Sequence, residues 1–423
     1  MWTGGADNQG NFLGRISIRR NQVASMEGEI EDLELFQRKI ADRFSDLLPP
    51  NKKDTHHSAS IPTSISISSA ASDSPISGDI DGDSSPFWGS DTLLSIAWIR
   101  KLLDAFLCCE SEFKAVLLIG REPSQVAKSP LDRFIPDLLD RAVKGLDICN
   151  AINHGIDAIK FMLSQAQIVV SALEQRPCTD GQIRRARRAL AALQGSIVVD
   201  EKENTGKSPE RSWSFGKRSS GASSKDRHHA PNFKSLSWIV AKNWSAAKQV
   251  QSISSNLTAP RGGESTGLAL TVYIMNVVLV FVMWALVAAI PCQDRAGLGT
   301  HIPIPKQSNW AHSICGLQEK IAEEWKRKEK KGSPGLMEEV VKIDKLAQSL
   351  VDYADNFQYP MEEEKEAELA TQVAELAEIC RKMEDGLGPL QLQIRELFHR
   401  LVKTRAIILD VLDQAGKSST PNV

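Results

Sequence analysis

The chain has 423 residues, of which 42% are hydrophobic and 25% are charged, and its formal net charge is −2. These near-average values exclude a chain that is disordered throughout, and the length allows two or three folded units. The seven Cys include no C-x-x-C pair, and Met1–Arg20 has no apolar stretch that resembles a secretory signal. We therefore expect reduced cysteines and a cytoplasmic N-terminal part.

The small net charge hides an asymmetry along the chain. Residues 184–248 contain 14 Lys and Arg against 5 Asp and Glu, whereas residues 311–423 contain 16 against 21. A basic middle and an acidic tail indicate separate partners, or an attraction between the two segments.

The first ninety residues divide into three parts. Residues 1–23 are rich in Gly and Asn and are expected to be flexible. Residues 24–50 carry apolar side chains near the helical period and end in a Pro pair, which predicts an N-terminal helix. Residues 51–90 are rich in Ser, Asp and Pro, and their few large apolar groups cannot offset the cost of ordering, so we predict a disordered linker.

Residues 91–199 are predicted to form a helical bundle, because the first helix of the segment is apolar on nearly all its faces. Helical periodicity predicts four helices here: 91–118, Leu131–Cys149, Ile152–Leu173 and Gln182–Val199. Residues 200–233 are basic and rich in Ser, and they are predicted to be a second disordered linker.

The last two segments are predicted to be helical as well. Residues 234–309 comprise an amphipathic helix, Leu236–Leu257, and a very apolar helix, Leu268–Ile290. Residues 310–423 show helical spacing of apolar residues and many charges. The predicted fold class is all-α: a multi-helix bundle with long helices, two disordered linkers and one central very apolar helix.

The apolar helix has two interpretations. Its 23 residues carry no charge and are long enough to cross a membrane, with Leu268, Ile274, Val280, Trp284 and Ile290 along the segment. The alternative is a buried core helix in a soluble bundle, since the chain has other helices that are apolar on most faces. The expected location is at a membrane, with or without a single pass, and the alternative is the cytosol.

A basic cluster at Arg184, Arg185, Arg187 and Arg188 also has more than one interpretation. It is either a solvated helix face or a contact for anionic membrane lipid, to which each basic residue near the surface adds about 1 kcal/mol. Binding to nucleic acid is not expected, because no nucleic-acid-binding module is recognisable.

Motifs that carry catalysis are absent from the sequence. The scattered His residues have no Cys or His at metal-ligand spacing, and the Gly-containing segments lack the spacing of nucleotide-binding loops. We therefore expect no enzymatic activity, no cofactor and no metal.

Several segments spread along the chain resemble those of the plant ROH branch of the BYPASS-related family. The segments that carry the resemblance are 12–23, 94–98, 113–118, 130–133, 173–177, 184–192, 242–249, 281–284, 335–339 and 379–384. The linkers at 51–90 and 200–233 do not contribute to it.

The resemblance implies a non-enzymatic adaptor that binds the seventy-kilodalton subunit of the exocyst. It further implies that the protein restrains polarised secretion of cell-wall or mucilage material in plants. The rival hypothesis, from the apolar segment alone, is a single-pass membrane structural protein that acts by helix self-association.

Overall fold

A computed structural model describes residues 30–49, 92–119, 121–175, 178–197, 244–262, 267–292, 298–299, 301–306, 308–329, 335–357 and 362–418. Over these residues the chain forms ten α-helices and no strand, which confirms the predicted all-α class. The predictions for 1–23, 51–90 and 200–233 fall largely or wholly outside the described residues.

The helices follow one another in chain order, and a 3₁₀ turn at Asn309–Ala311 precedes α8. Their bounds are α1 (30–45), α2 (Ile96–Leu118), α3 (Pro123–Val126), α4 (Leu131–Leu173), α5 (Asp180–Ile197), α6 (Ala246–Ser255), α7 (Leu268–Ala289), α8 (His312–Glu329), α9 (Glu338–Asp355) and α10 (Glu363–Ser418).

Three helices differ from the sequence prediction. The segment predicted as Leu236–Leu257 is helical over Ala246–Ser255 in its described part, because Ser245 caps the helix by accepting a hydrogen bond from the Lys248 N–H. The segments predicted as Leu131–Cys149 and Ile152–Leu173 form the single helix α4, because no Gly or Pro separates them and the apolar pattern continues across the junction. Helix α2 begins at Ile96 rather than near residue 91, because the Ser95 hydroxyl accepts a hydrogen bond from the Trp98 backbone N–H at 3.2 Å.

Helix α7 lies in the centre of the bundle. It packs against α2, α4, α6 and α8, and every residue from Thr271 to Ile290 is buried. A helix that is apolar on all faces requires partners on all sides. These four helices supply most of them, and α1 covers the remaining face through the contact of Phe44 with Phe281. The core around α7 is continuous and includes side chains from α1 to α10.

Helices α4 and α10 form an antiparallel pair along one side of the bundle. A Cβ on Gly145 would lie 3.3 Å from Leu401 Cδ1, while Gln167, further along α4, donates a hydrogen bond to Glu384, earlier in α10. The 56 residues of α10 would span about 84 Å at 1.5 Å per residue. This helix also packs on α2, α3 and α9, so it connects the two ends of the bundle.

Three helix ends meet at one junction. The backbone N–H groups of Leu336 and Met337, just before α9, donate to the carbonyls of Ala288 and Ala289 at the end of α7, at 3.1 and 3.0 Å. The Glu339 carboxylate accepts the Ile96 N–H at the start of α2, at 3.0 Å. Backbone groups that the helices leave unpaired are therefore satisfied by residues that are distant in sequence.

Candidate functional surfaces

Asn276 carries the only amide side chain of the apolar helix α7, and it is hydrogen-bonded inside the bundle. Its Oδ1 accepts a hydrogen bond from Arg141 Nη1 of α4 at 3.2 Å, and its Nδ2 donates to the Val272 carbonyl at 3.0 Å. Arg141 is 5% exposed, and its other nitrogens donate to the carbonyls of Ile253 and Asn256 at the end of α6. One guanidinium thus joins α4, α6 and α7, and burial lowers the pKa of Arg141.

Two described helices, α4 and α7, are long and apolar enough to cross a membrane by length and composition. Of the five residues singled out along the apolar segment, Leu268 is half-buried, and Ile274, Val280, Trp284 and Ile290 are buried. Trp284 Nε1 donates to the Gly299 carbonyl at 2.8 Å. The packing thus favours the core-helix interpretation, because neighbouring helices cover the surface that lipid would otherwise contact.

The four arginines of the basic cluster have different surroundings on α5. All four side chains are exposed, but Arg187 pairs with Asp355 at 3.0 Å and donates to the Ala354 carbonyl, so it caps the end of α9. Arg184 pairs with Asp180 one turn earlier. Within the described part of the chain, Arg185 and Arg188 have no ion pair and point away from the bundle core.

A buried carboxylate joins α2 to α10. Glu110 is 1% exposed and pairs with Lys114 at 2.8 Å and with Arg400 at 3.2 Å, and the Thr404 hydroxyl donates to the same group. A buried charge with several partners of this kind fixes the position of one helix against another. The cluster is therefore a structural contact that sets the register of α10.

The remaining side chains that could take part in chemistry do not form a cluster. Burial raises the pKa of the Cys149 thiol to about 12 and those of Cys109 and Cys380 to about 11, which keeps these thiols protonated and unreactive. Among the described residues, no group of three His, Cys, Asp or Glu side chains could hold a metal ion. The open groove of about 250 Å³ between residues 301–306 and α8 has mixed charges along its walls, including Lys306 and Glu319.

The outer side of α10 carries the exposed apolar side chains Leu392, Val402 and Leu409, with 63%, 43% and 38% of their surfaces accessible. At 100° per residue these three positions fall within about 100° of arc, which is the width of an amphipathic stripe. Arg395, His399 and Lys403 are exposed in the same arc or at its edge, and the acidic Asp410 is exposed there too. We call the three apolar residues together with Arg395, His399 and Lys403 the α10 stripe.

Comparison with known proteins places this helical bundle in a family. A family model described as "Protein ROH1-like" matches residues 4–412. The chain belongs to the ROH1-like family. It is 51% identical to Protein ROH1A of Arabidopsis thaliana over 432 aligned positions, which cover 99% of each chain. It is also 36% identical to Protein ROH1D of the same plant, over 94% of this chain and 90% of that one. No solved structure gives a significant match.

This result confirms the family resemblance that the sequence segments indicated. The family match spans the segments on which the fold depends, so the bundle described above is a structure for a ROH1-like chain as a whole. Sequence reasoning did not find Arg141 or the α10 stripe. An Arg inside the otherwise apolar face of a helix is a detectable signal of a buried partner, but the stripe becomes visible only once the buried side of α10 is known.

Proposed function

We propose that this ROH1-like chain is a non-enzymatic adaptor that binds the seventy-kilodalton exocyst subunit and restrains polarised secretion of cell-wall or mucilage material. The family membership supports the proposal, and one structural observation carries the binding step. That observation is the α10 stripe, an exposed apolar surface with basic neighbours on a helix otherwise integrated into the bundle.

The α10 stripe has the dimensions of a helix-binding surface. From Leu392 to Leu409 it extends 17 residues, or about 26 Å at 1.5 Å per residue. A partner helix of about five turns could align with it and place apolar residues against the three exposed side chains. Because Arg395 and Lys403 border the apolar positions, we expect acidic residues at the edges of the partner helix.

A binding measurement with the purified exocyst subunit tests this step. The variant Leu392→Glu/Leu409→Glu should weaken binding at least tenfold, because it removes two apolar contacts and adds charge at the stripe. The matched control is Ile30→Glu/Leu35→Glu on α1, which changes two exposed apolar residues of similar accessibility on another helix. Equal weakening by the control, or no effect of the double variant, would remove the stripe from the proposal. If the parent chain does not bind the subunit at all, the adaptor function itself is wrong.

We further propose that the protein associates with the membrane at its cytoplasmic face, with α7 kept in the core. The enclosure of α7 by other helices and the Arg141–Asn276 hydrogen bond support this arrangement. Extraction of plant membranes tests it: high salt should release the protein. Retention at high salt and in carbonate would instead support the single-pass structural protein that acts by helix self-association.

Exposed cations on α5 are the proposed contact with anionic lipid. Because Arg185 and Arg188 have no ion pair among the described residues, they can turn toward a charged surface without breaking a structural contact. The charge-reversal variant Arg185→Glu/Arg188→Glu should lose most of its binding to vesicles that contain phosphatidylserine. The matched control Arg381→Glu/Lys382→Glu makes the same change in charge on α10, and an equal loss there would indicate a general charge effect.

A further inference from the structure

The N-terminal helix α1 is connected to the bundle in an unusual way. Forty-six residues, 50–95, separate its described segment from the start of α2, and this stretch is rich in Ser, Asp and Pro. Nevertheless α1 packs on the bundle, so its position depends on the contacts that it makes there. These contacts are of two kinds, an apolar seam and a charged edge.

The apolar seam of α1 consists of Phe36, Ile40, Phe44 and Leu47, at intervals of four, four and three residues. All four are at most 5% exposed. The Phe44 ring meets the ring of Phe281 from α7 edge to face, with centroids 5.8 Å apart. The intervals of four, four and three residues are those by which an amphipathic helix places its apolar side chains in a groove.

Polar contacts fix the two edges of the same helix. The Arg43 guanidinium forms a bidentate pair with the Glu112 carboxylate of α2 at 2.7 and 2.8 Å, and Lys39 pairs with it at 3.0 Å. The hydrogen bond from Arg43 holds the pKa of Glu112 below its usual range. Just after α1, Trp98 Nε1 donates to the Leu47 carbonyl at 2.9 Å, and Lys320 Nζ of α8 donates to the Pro49 carbonyl at 3.3 Å. These contacts specify both the direction and the register of α1.

The balance of contacts distinguishes α1 from α7. Helix α7 is enclosed on all sides, whereas α1 leaves Ile30 and Leu35 exposed and contacts the bundle along one face. An isolated helix of this length is marginal in water, so its order depends on the groove. Segments with this character open locally while the remaining structure stays folded.

We infer that α1 is a releasable strap over a helix-binding groove formed by α2, α7 and α8. The strap opens as a unit, and the groove that it leaves accepts a helix of the α1 pattern, with large apolar residues along one side and basic residues that meet Glu112. Because α1 belongs to the same chain as the groove, a helix in solution must compete with an intramolecular one to occupy it. This inference stands independently of the proposed adaptor function.

Hydrogen exchange on the intact chain tests the opening step. Amides of α1 should exchange at least tenfold faster than those of α7. The isosteric variant Glu112→Gln should accelerate exchange in α1 about tenfold more while α7 is unchanged. The control Glu378→Gln alters an exposed carboxylate that pairs with Arg381 on α10 and should leave α1 unchanged. Exchange of α1 at the same rate as α7, or equal acceleration of both helices by Glu112→Gln, would overturn the inference.

Exchange with a peptide tests the groove. A protease site placed within residues 51–90 allows the tether to be cut after the full chain has folded. A labelled peptide of residues 30–49 should then bind the cut protein at least 100-fold better than the uncut protein, because cutting removes the intramolecular competitor. The same peptide with Arg43→Glu should bind at least tenfold more weakly. Equal binding by cut and uncut protein, or failure of the peptide to replace the cut α1, would show that the groove is not exchangeable.

Discussion

Replacement of Gly155 by Ala tests the position of the apolar helix directly. Gly155 lies in α4, and a Cβ at this residue would stand 2.4 Å from the Pro291 carbonyl oxygen and 2.7 Å from Ile290 Cγ2. Atoms of the backbone cannot move aside as a flexible side chain can, so the end of α7 must shift away from α4. Overpacking of this kind costs about 1–3 kcal/mol, whereas the higher helix propensity of Ala returns at most about 1 kcal/mol.

We therefore expect Gly155→Ala to lower the free energy of unfolding by a net amount of about 1–2 kcal/mol, measured by urea denaturation and circular dichroism at 25 °C. The matched control is Gly195→Ala near the end of α5, where a Cβ would meet no atom within 4 Å. This control should leave stability unchanged or raise it by up to about 1 kcal/mol. If Gly155→Ala stabilises the protein as the control does, α7 does not end against α4, and the central position of the apolar helix is wrong.

Three further predictions address the buried and exposed polar groups. The variant Arg141→Met should destabilise the protein by about 2–3 kcal/mol because it leaves buried acceptors unpaired, and adding Asn276→Leu should restore part of that loss in the same denaturation assay. Burial raises the pKa of Glu339, so its stabilising contribution is complete below the usual carboxyl pKa and is lost as pH rises through the folded value. Glu339→Gln should therefore raise stability at pH 7 but not near pH 4, whereas a constant difference across this range would contradict the shift. Arg187→Ala should lower the free energy of unfolding by about 1 kcal/mol or less, seen as a slightly lower thermal midpoint, and Arg185→Ala should not; equal effects would show that the α9 cap is unimportant.

The behaviour of the basic cluster shows how far a linear pattern can predict a site. Four arginines within five residues are equivalent in the sequence, and any of them could contact lipid. In the folded protein Arg187 meets the end of α9, because α5 packs beside a helix that begins 150 residues later. The sequence predicts the charge of the α5 surface. Which of the arginines contacts another helix depends on where α9 packs.

Local patterns by themselves determined the helical class, the extent of the apolar helix and the family to which the chain belongs. The reason is physical: helix formation and side-chain periodicity depend on residues three or four positions apart, which a sequence displays directly. The length of α4 and the first residue of α2 were harder to predict from the sequence. A helix cap such as Ser95, for example, competes with other polar residues in the same stretch.

Only the tertiary structure decided which side of each helix faces a partner within the chain. The pairing of Arg141 with Asn276 joins residues 135 positions apart. The enclosure of α7 and the exposure of the α10 stripe likewise depend on helices from different parts of the chain. An apolar helix of 22 residues can remove its side chains from water either in lipid or among other helices. The packing of α2, α4, α6 and α8 around it, which no local pattern encodes, supplies the second of these environments.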